Sequence, residues 1–200
     1  MRKIFILMLL SFTTFTWAQK LEIVSGNFDF LKDQSKINVK LEFDQVKLFN
    51  EMISEQDYLN QRKKAFVENP KRGQEFWDNW SKEWTNHRED LFLDKFILGT
   101  SKFKKISFQK NINSPYTLIV QTNWIYPGYH AGIGVEPAKL SSTLTFVETN
   151  NPEKTLLVIK LNKVKGTKGK NDYVMEYGRI SAAYETSGRL LGAEIKKNIK

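Results

Sequence analysis

The chain has 200 residues, a formal net charge of +9 and no cysteine. Lack of cysteine excludes disulfides, a cysteine nucleophile and a lipid carried on a lipobox cysteine, so stability must come from an ordinary core. The basic surplus favours anionic surfaces, but it is spread over "QRKKAF", "KFKK" and "KVKGTKGK" rather than interleaved with stacking aromatics, so nucleic acid is not the expected partner.

The first element is "MRKIFILMLLSFTTFTWAQK". Arg2 and Lys3, the apolar run from Ile4 to Leu10 and the small residues Thr16 and Ala18 have the three-part layout of a secretory signal peptide over residues 1–18. Cleavage after Ala18 leaves Gln19 first, lowers the charge to +7 by removing Arg2 and Lys3, and leaves 19–200 as a single domain. The run falls short of the roughly 20 residues that span a bilayer, so no transmembrane segment is expected. The protein reads as exported, periplasmic or secreted, soluble and not a lipoprotein. The Ala-Gln-Lys junction and the Lys/Asn/Ile-rich composition resemble those of exported Bacteroidetes proteins.

Beyond the leader, "INVKLEFDQV" alternates Ile37, Val39, Leu41 and Phe43 with polar residues, which predicts a half-buried strand. Residues 54–98 turn to helical spacing, broken near Pro70 and Gly73, and Trp77, Trp80, Trp84, His87, Leu91 and Leu98 fall on one stripe. Three strands follow, "YTLIVQTNWIY", "KLSSTLTFVE" and "KTLLVIKLNKV", the last two joined by a hairpin turn at Asn150, Asn151 and Pro152. A final helix is expected from about Tyr173, with Val174, Tyr177, Ser181, Tyr184, Gly188, Leu191 and Ile195 on the face that lies close against the sheet. The predicted fold is α+β: a mostly antiparallel sheet of about four strands with helices on one side, in the order β-α-α-β-β-β-α. This order, with a helix closing a strand trio, is loosely similar in topology to the periplasmic assembly-factor domains of curli-export and penicillin-binding-protein-activator lipoproteins. The resemblance spans Ile37 to the C-terminus, departs in lacking the lipid-bearing cysteine, and transfers no functional residue.

Two stretches are candidate binding surfaces. In "WIYPGYHAGIGVEPAK", the glycines and prolines shape a loop on which Trp124, Tyr126, Tyr129 and His130 offer amphipathic contact area. The loop lacks the Lys-Ser/Thr of a phosphate-binding turn, so no nucleotide is implied. The other is the tryptophan stripe of Trp77, Trp80 and Trp84, which serves as core, as a protein-interface anchor, as a stacking platform for sugar rings or as a self-association surface. His87, with Asp90 and Asp94 beyond it, could have its imidazole oriented by a carboxylate, but too few ligands cluster for zinc, and neither a metal nor a cofactor is expected. No G-x-S-x-G elbow is present. The reading is a non-catalytic exported binding or assembly module for a protein or cell-envelope polymer. The alternative is a small hydrolase of an envelope glycan or peptide with His130 as base.

Overall fold

The structure, a computed structural model, describes residues 21–103, 105–132, 134–167 and 174–199. The leader 1–18, the expected start at Gln19 and Tyr173 lie outside them. In chain order come β1 (Leu21–Gly26), β2 (Lys36–Glu42), the short β3 (Lys47–Leu48) and β4 (Ile53–Ser54), then helices α1 (Glu55–Val67) and α2 (Gly73–Asn86). A π turn (His87–Leu91) runs from α2 into α3 (Phe92–Thr100). The rest is β5 (Ser107–Lys110), β6 (Tyr116–Tyr126), β7 (Tyr129–Ala131), β8 (Gly134–Glu136), β9 (Lys139–Glu148), β10 (Asn151–Lys165) and α4 (Glu176–Asn198).

Eight of these strands share one mixed sheet in the order β1-β10-β9-β6-β2-β5, with β3 paired to β6 and β4 to β3, while β7 and β8 form a separate ribbon. The antiparallel half is β1, β10, β9 and β6; β2 runs parallel to both β6 and β5. This corrects the expected four-stranded, mostly antiparallel sheet. A chain that leaves β2 and returns in β6 through three helical segments has room for a parallel crossover, which a hairpin has not. β1 escaped the sequence reading because only Leu21 of its six residues is buried, so no alternation marks it.

One sheet face carries the core. Ile37, Val39, Leu118, Val120, Leu140, Leu144, Phe146, Leu157 and Ile159 are all but fully buried at alternate strand positions, and Lys40, Thr143 and Lys160 alternate with them. After β5 the chain recrosses β2, where Asn38, buried, donates to Thr117 Oγ1 at 3.2 Å and accepts from Ile112 N–H at 3.3 Å.

The helices close over the core face through aromatic packing. Phe43 stacks on Phe92, Phe92 on Tyr184, and the Tyr184 hydroxyl meets Thr122 Oγ1 on β6 at 2.5 Å. The tryptophan stripe holds through Trp80, Trp84 and His87 and then changes phase. The π turn inserts one residue, so the positions next in line, Leu91 and Leu98, give way to Phe92, Phe96 and Gly99 as the buried ones, and Leu98 is 52% exposed. Gly99 and Gly188 then let α3 and α4 touch backbone to backbone: a Cβ on Gly188 would lie 2.0 Å from Phe96 O. The close contact expected of Gly188 is therefore with a helix rather than with the sheet.

Candidate binding cleft

The loop of interest folds as a hairpin because its glycines sit where the backbone demands them. Gly128 has φ +67°, and a Cβ there would fall 2.3 Å from Glu136 O; Gly132 at the tip has φ +56°. Tyr129 pairs with Glu136 and Ala131 with Gly134. The base is clamped by Arg179 of α4, which is buried and donates through Nε to Pro127 O at 2.9 Å, through Nη2 to Gly128 O at 3.3 Å and through Nη1 to Val174 O at 2.6 Å. On the other side the Tyr126 hydroxyl donates to Glu136 Oε2 at 2.7 Å, and Lys139 donates to Oε1 of the same carboxylate at 2.7 Å. Donation to that carboxylate pushes the Tyr126 phenol up to about 12, and Lys139, then Tyr126, hold Glu136 below the usual carboxylate range.

Facing the hairpin is the α1–α2 corner. Pro70 and the left-handed Gly73 (φ +70°) end one helix and start the next, which brings Phe66 of α1 against Phe76 and Trp80 of α2 with ring centroids 4.9 and 5.5 Å apart. Arg72, exposed at the corner, lies over both phenylalanines, 5.1 Å from the Phe66 ring centre and 4.8 Å from that of Phe76. One turn earlier on α1, Arg62 Nη2 pairs with buried Glu176 at 2.5 Å, and Glu176 also accepts from Tyr58 at 2.6 Å. Burial together with the Glu176 carboxylate pushes the Tyr58 phenol well up.

Between corner and hairpin lies a cleft of about 210 Å³, lined by Arg62, Arg72, Phe76, Trp80, Tyr129 and His130, with Glu176 and Arg179 behind them. Of its lining residues, Trp80 and Arg62 each keep one buried donor, Nε1 and Nε, without a hydrogen-bond partner among the described residues. Tyr129 is 50% exposed and His130 is exposed beside it. Three arginines against one glutamate make the cleft positive.

The seven sequence candidates thus divide. Tyr129, His130 and Trp80 come together in the cleft, and half-buried Trp77 stacks on Trp80 from behind at 5.6 Å. Trp84 is consumed by the core: it is 1% exposed and its indole donates to Glu55 Oε1 at 2.9 Å, so it offers no surface to a sugar or a second copy. Trp124 and Tyr126 brace the hairpin; Trp124 is buried, donates to Phe49 O at 2.7 Å and lies under Lys163. The carboxylates expected to orient His87 do something else. Asp90 and Asp94 hold Lys110, while His87 packs on Tyr177 at 4.4 Å with Nδ1 2.8 Å from Glu83 O. Among the described residues no group of three His, Asp or Glu side chains could hold a metal.

No family model matches the chain, and no curated protein does. Among solved structures, a dodecameric PelC variant from Paraburkholderia phytofirmans overlays at a TM-score of 0.31 with 10% identity, covering 84% of this chain and 96% of its own. Protein XCC0632 of Xanthomonas campestris, of family DUF330, overlays at 0.32 with 10% identity, covering 84% and 87%. Overlays this loose carry no argument about function, which rests on the chemistry of the cleft.

Sequence reasoning missed Arg62, Arg72, Phe66, Phe76, Glu176 and Arg179. Arg62 and Phe66 stand in "QRKKAF", noticed only as a basic cluster; the alternation of aromatic and arginine across the Pro70–Gly73 break was the available signal.

Proposed function

We propose that the protein is a non-catalytic, exported binding or assembly module of the cell envelope. Its cleft between the β7–β8 hairpin and the α1–α2 corner holds an oxygen-rich, negatively charged group of a polymer or protein. The observation that carries this reading is the make-up of the cleft: Arg62, Arg72 and Arg179 against a single Glu176, with Phe76, Trp80 and Tyr129 beside them. Arginine suits such groups through its planar fork, and the flanking Phe76, Trp80 and Tyr129 rings supply apolar area for the body of the ligand. Export rests on the Arg2–Lys3, Ile4–Leu10 and Thr16–Ala18 pattern, and sequencing the N-terminus of exported material should begin at Gln19. The hydrolytic alternative needs a carboxylate behind His130, and among the described residues His130 has no such partner.

Calorimetry with a uronic-acid oligosaccharide and with a glutamate-rich peptide, each against a neutral counterpart of equal length, tests the proposal. At least one acidic probe should bind about tenfold or more above its counterpart, and more weakly as salt rises. Equal binding of acidic and neutral probes, or none of either, refutes it.

A further inference from the structure

β5 ends at Lys110, opposite Val39, but β2 continues to Glu42. Asn111 takes a left-handed φ of 55° and leads the chain away over the outer face, so β5 cannot follow its neighbour further. Lys40, Leu41 and Glu42 are consequently paired with β6 on one side and with no strand among the described residues on the other. A cavity of about 440 Å³ borders this bare edge, closed on its far side by Arg88, Glu89 and Asp90 of the π turn and Leu93 of α3. It shares no lining residue with the Arg62–His130 cleft.

Three features define what fits. Backbone groups at alternate residues of an unpaired edge are a template for another strand. Leu41 lies in the core-facing register of Ile37 and Val39, which are fully buried, yet it is only half-buried, because β5 has stopped short of covering it; Leu93 stands beside it in the cavity wall. The rim is acidic on an otherwise basic molecule. Lys110 is tied to Asp90 and Asp94, and Arg88 to Glu55 at 3.5 Å, whereas Glu42, Asp44 and Glu89 make no ion pair among the described residues and face only Lys40 as an uncommitted cation.

We propose that the free edge of β2 docks an extended peptide of a partner protein, which adds as a strand where β5 leaves off. An apolar side chain of that peptide rests on Leu41 and Leu93 on the core face, and basic side chains at the alternate positions point to the outer face, where Glu42 stands, with Asp44 beyond it. Backbone bonds supply the attachment, and the apolar position and the acidic rim supply the selectivity.

The probe is a capped seven-residue peptide alternating valine and lysine, titrated into the full protein with amide hydrogen exchange followed in parallel. Binding should slow exchange within residues 40–43. N-methylation of one set of alternate peptide residues should weaken binding about tenfold, and of the other set hardly at all, because only one set faces the edge. A glutamate-for-lysine peptide should bind at least about tenfold less well, and Glu42→Lys, at an exposed site, should reverse that preference with an unchanged melt. No binding of the valine–lysine peptide, equal effects of the two N-methylation patterns, or no protection at 40–43 overturns the proposal. So does a concentration-dependent dimer that the peptide dissolves, which assigns the edge to a second copy. The acidic probes of the Arg62–His130 cleft should bind the Glu42→Lys variant undiminished, so failure at one site is separable from failure at the other.

Discussion

Arg72 and Tyr129 stand on opposite lips of the cleft, and neither supports the core. Arg72 lies over the Phe66 and Phe76 rings from an exposed position, and half of Tyr129 is in solvent. Either residue changed to alanine should weaken binding of the acidic probe by about 1–3 kcal/mol while leaving the denaturation midpoint within about 0.5 kcal/mol of the parent. A parallel loss of stability and affinity would mean that they are structural. Tyr126 behaves oppositely. Its phenol titrates at about 12 in the folded state against about 10 in the unfolded chain, so between those values the unfolded state releases the proton first. The stabilisation is complete below about pH 10 and is lost as pH rises toward 12. The raised phenols of Tyr58 and Tyr184 act in the same direction. Denaturant melts across that window should show a falling alkaline limb, and Tyr126→Phe should make it shallower.

Glycine contact and π turn are properties of elements. Gly188→Ala should destabilise by about 1–3 kcal/mol, since its new methyl meets Phe96 O, a backbone atom that moves only with α3 itself. A stabilised variant would deny the helix–helix contact. The π turn makes a less obvious prediction. Deleting exposed Glu89 removes the inserted residue, restores ordinary helical spacing and leaves Trp84 and Phe92 in phase, so the melt should stay within about 1 kcal/mol of the parent. Deleting exposed Lys82 instead should cost several times more, because it separates Trp80 from Trp84. Equal losses would show that the extra residue is not what sets the phase. These elements also show how far sequence reaches. β6 and β9 were legible to the residue because each is a long run of strand formers whose burial alternates over most of its length, and Pro70 with Gly73 marked the helix break. The phase change at the π turn was not, because a run of helix formers looks the same at 3.6 or 4.4 residues per turn. The hairpin was legible as a shaped loop from its glycines, but its clamp was not: Arg179 lies about fifty positions downstream on a helix, and nothing local to either segment names the other.

At the scale of the molecule, the sheet is assembled out of chain order. Leu21 in β1 aligns with Leu161, and Asn38 in β2 with Thr117, so both N-terminal strands depend on partners made much later. The β6–β9–β10 meander joins neighbours, and pairings between neighbours close small loops and form early. Emerging from a ribosome N-terminus first, the chain therefore exposes β1, β2 and the apolar face of α2–α3 for the whole interval before Tyr116 appears. A fragment ending at Thr100 should show no cooperative melt, although it contains every residue of α1, α2 and α3. Such a long-unfinished nascent chain exposes the aromatic rings of α2 and α3 for the whole interval, the circumstance in which aggregation competes most strongly with folding.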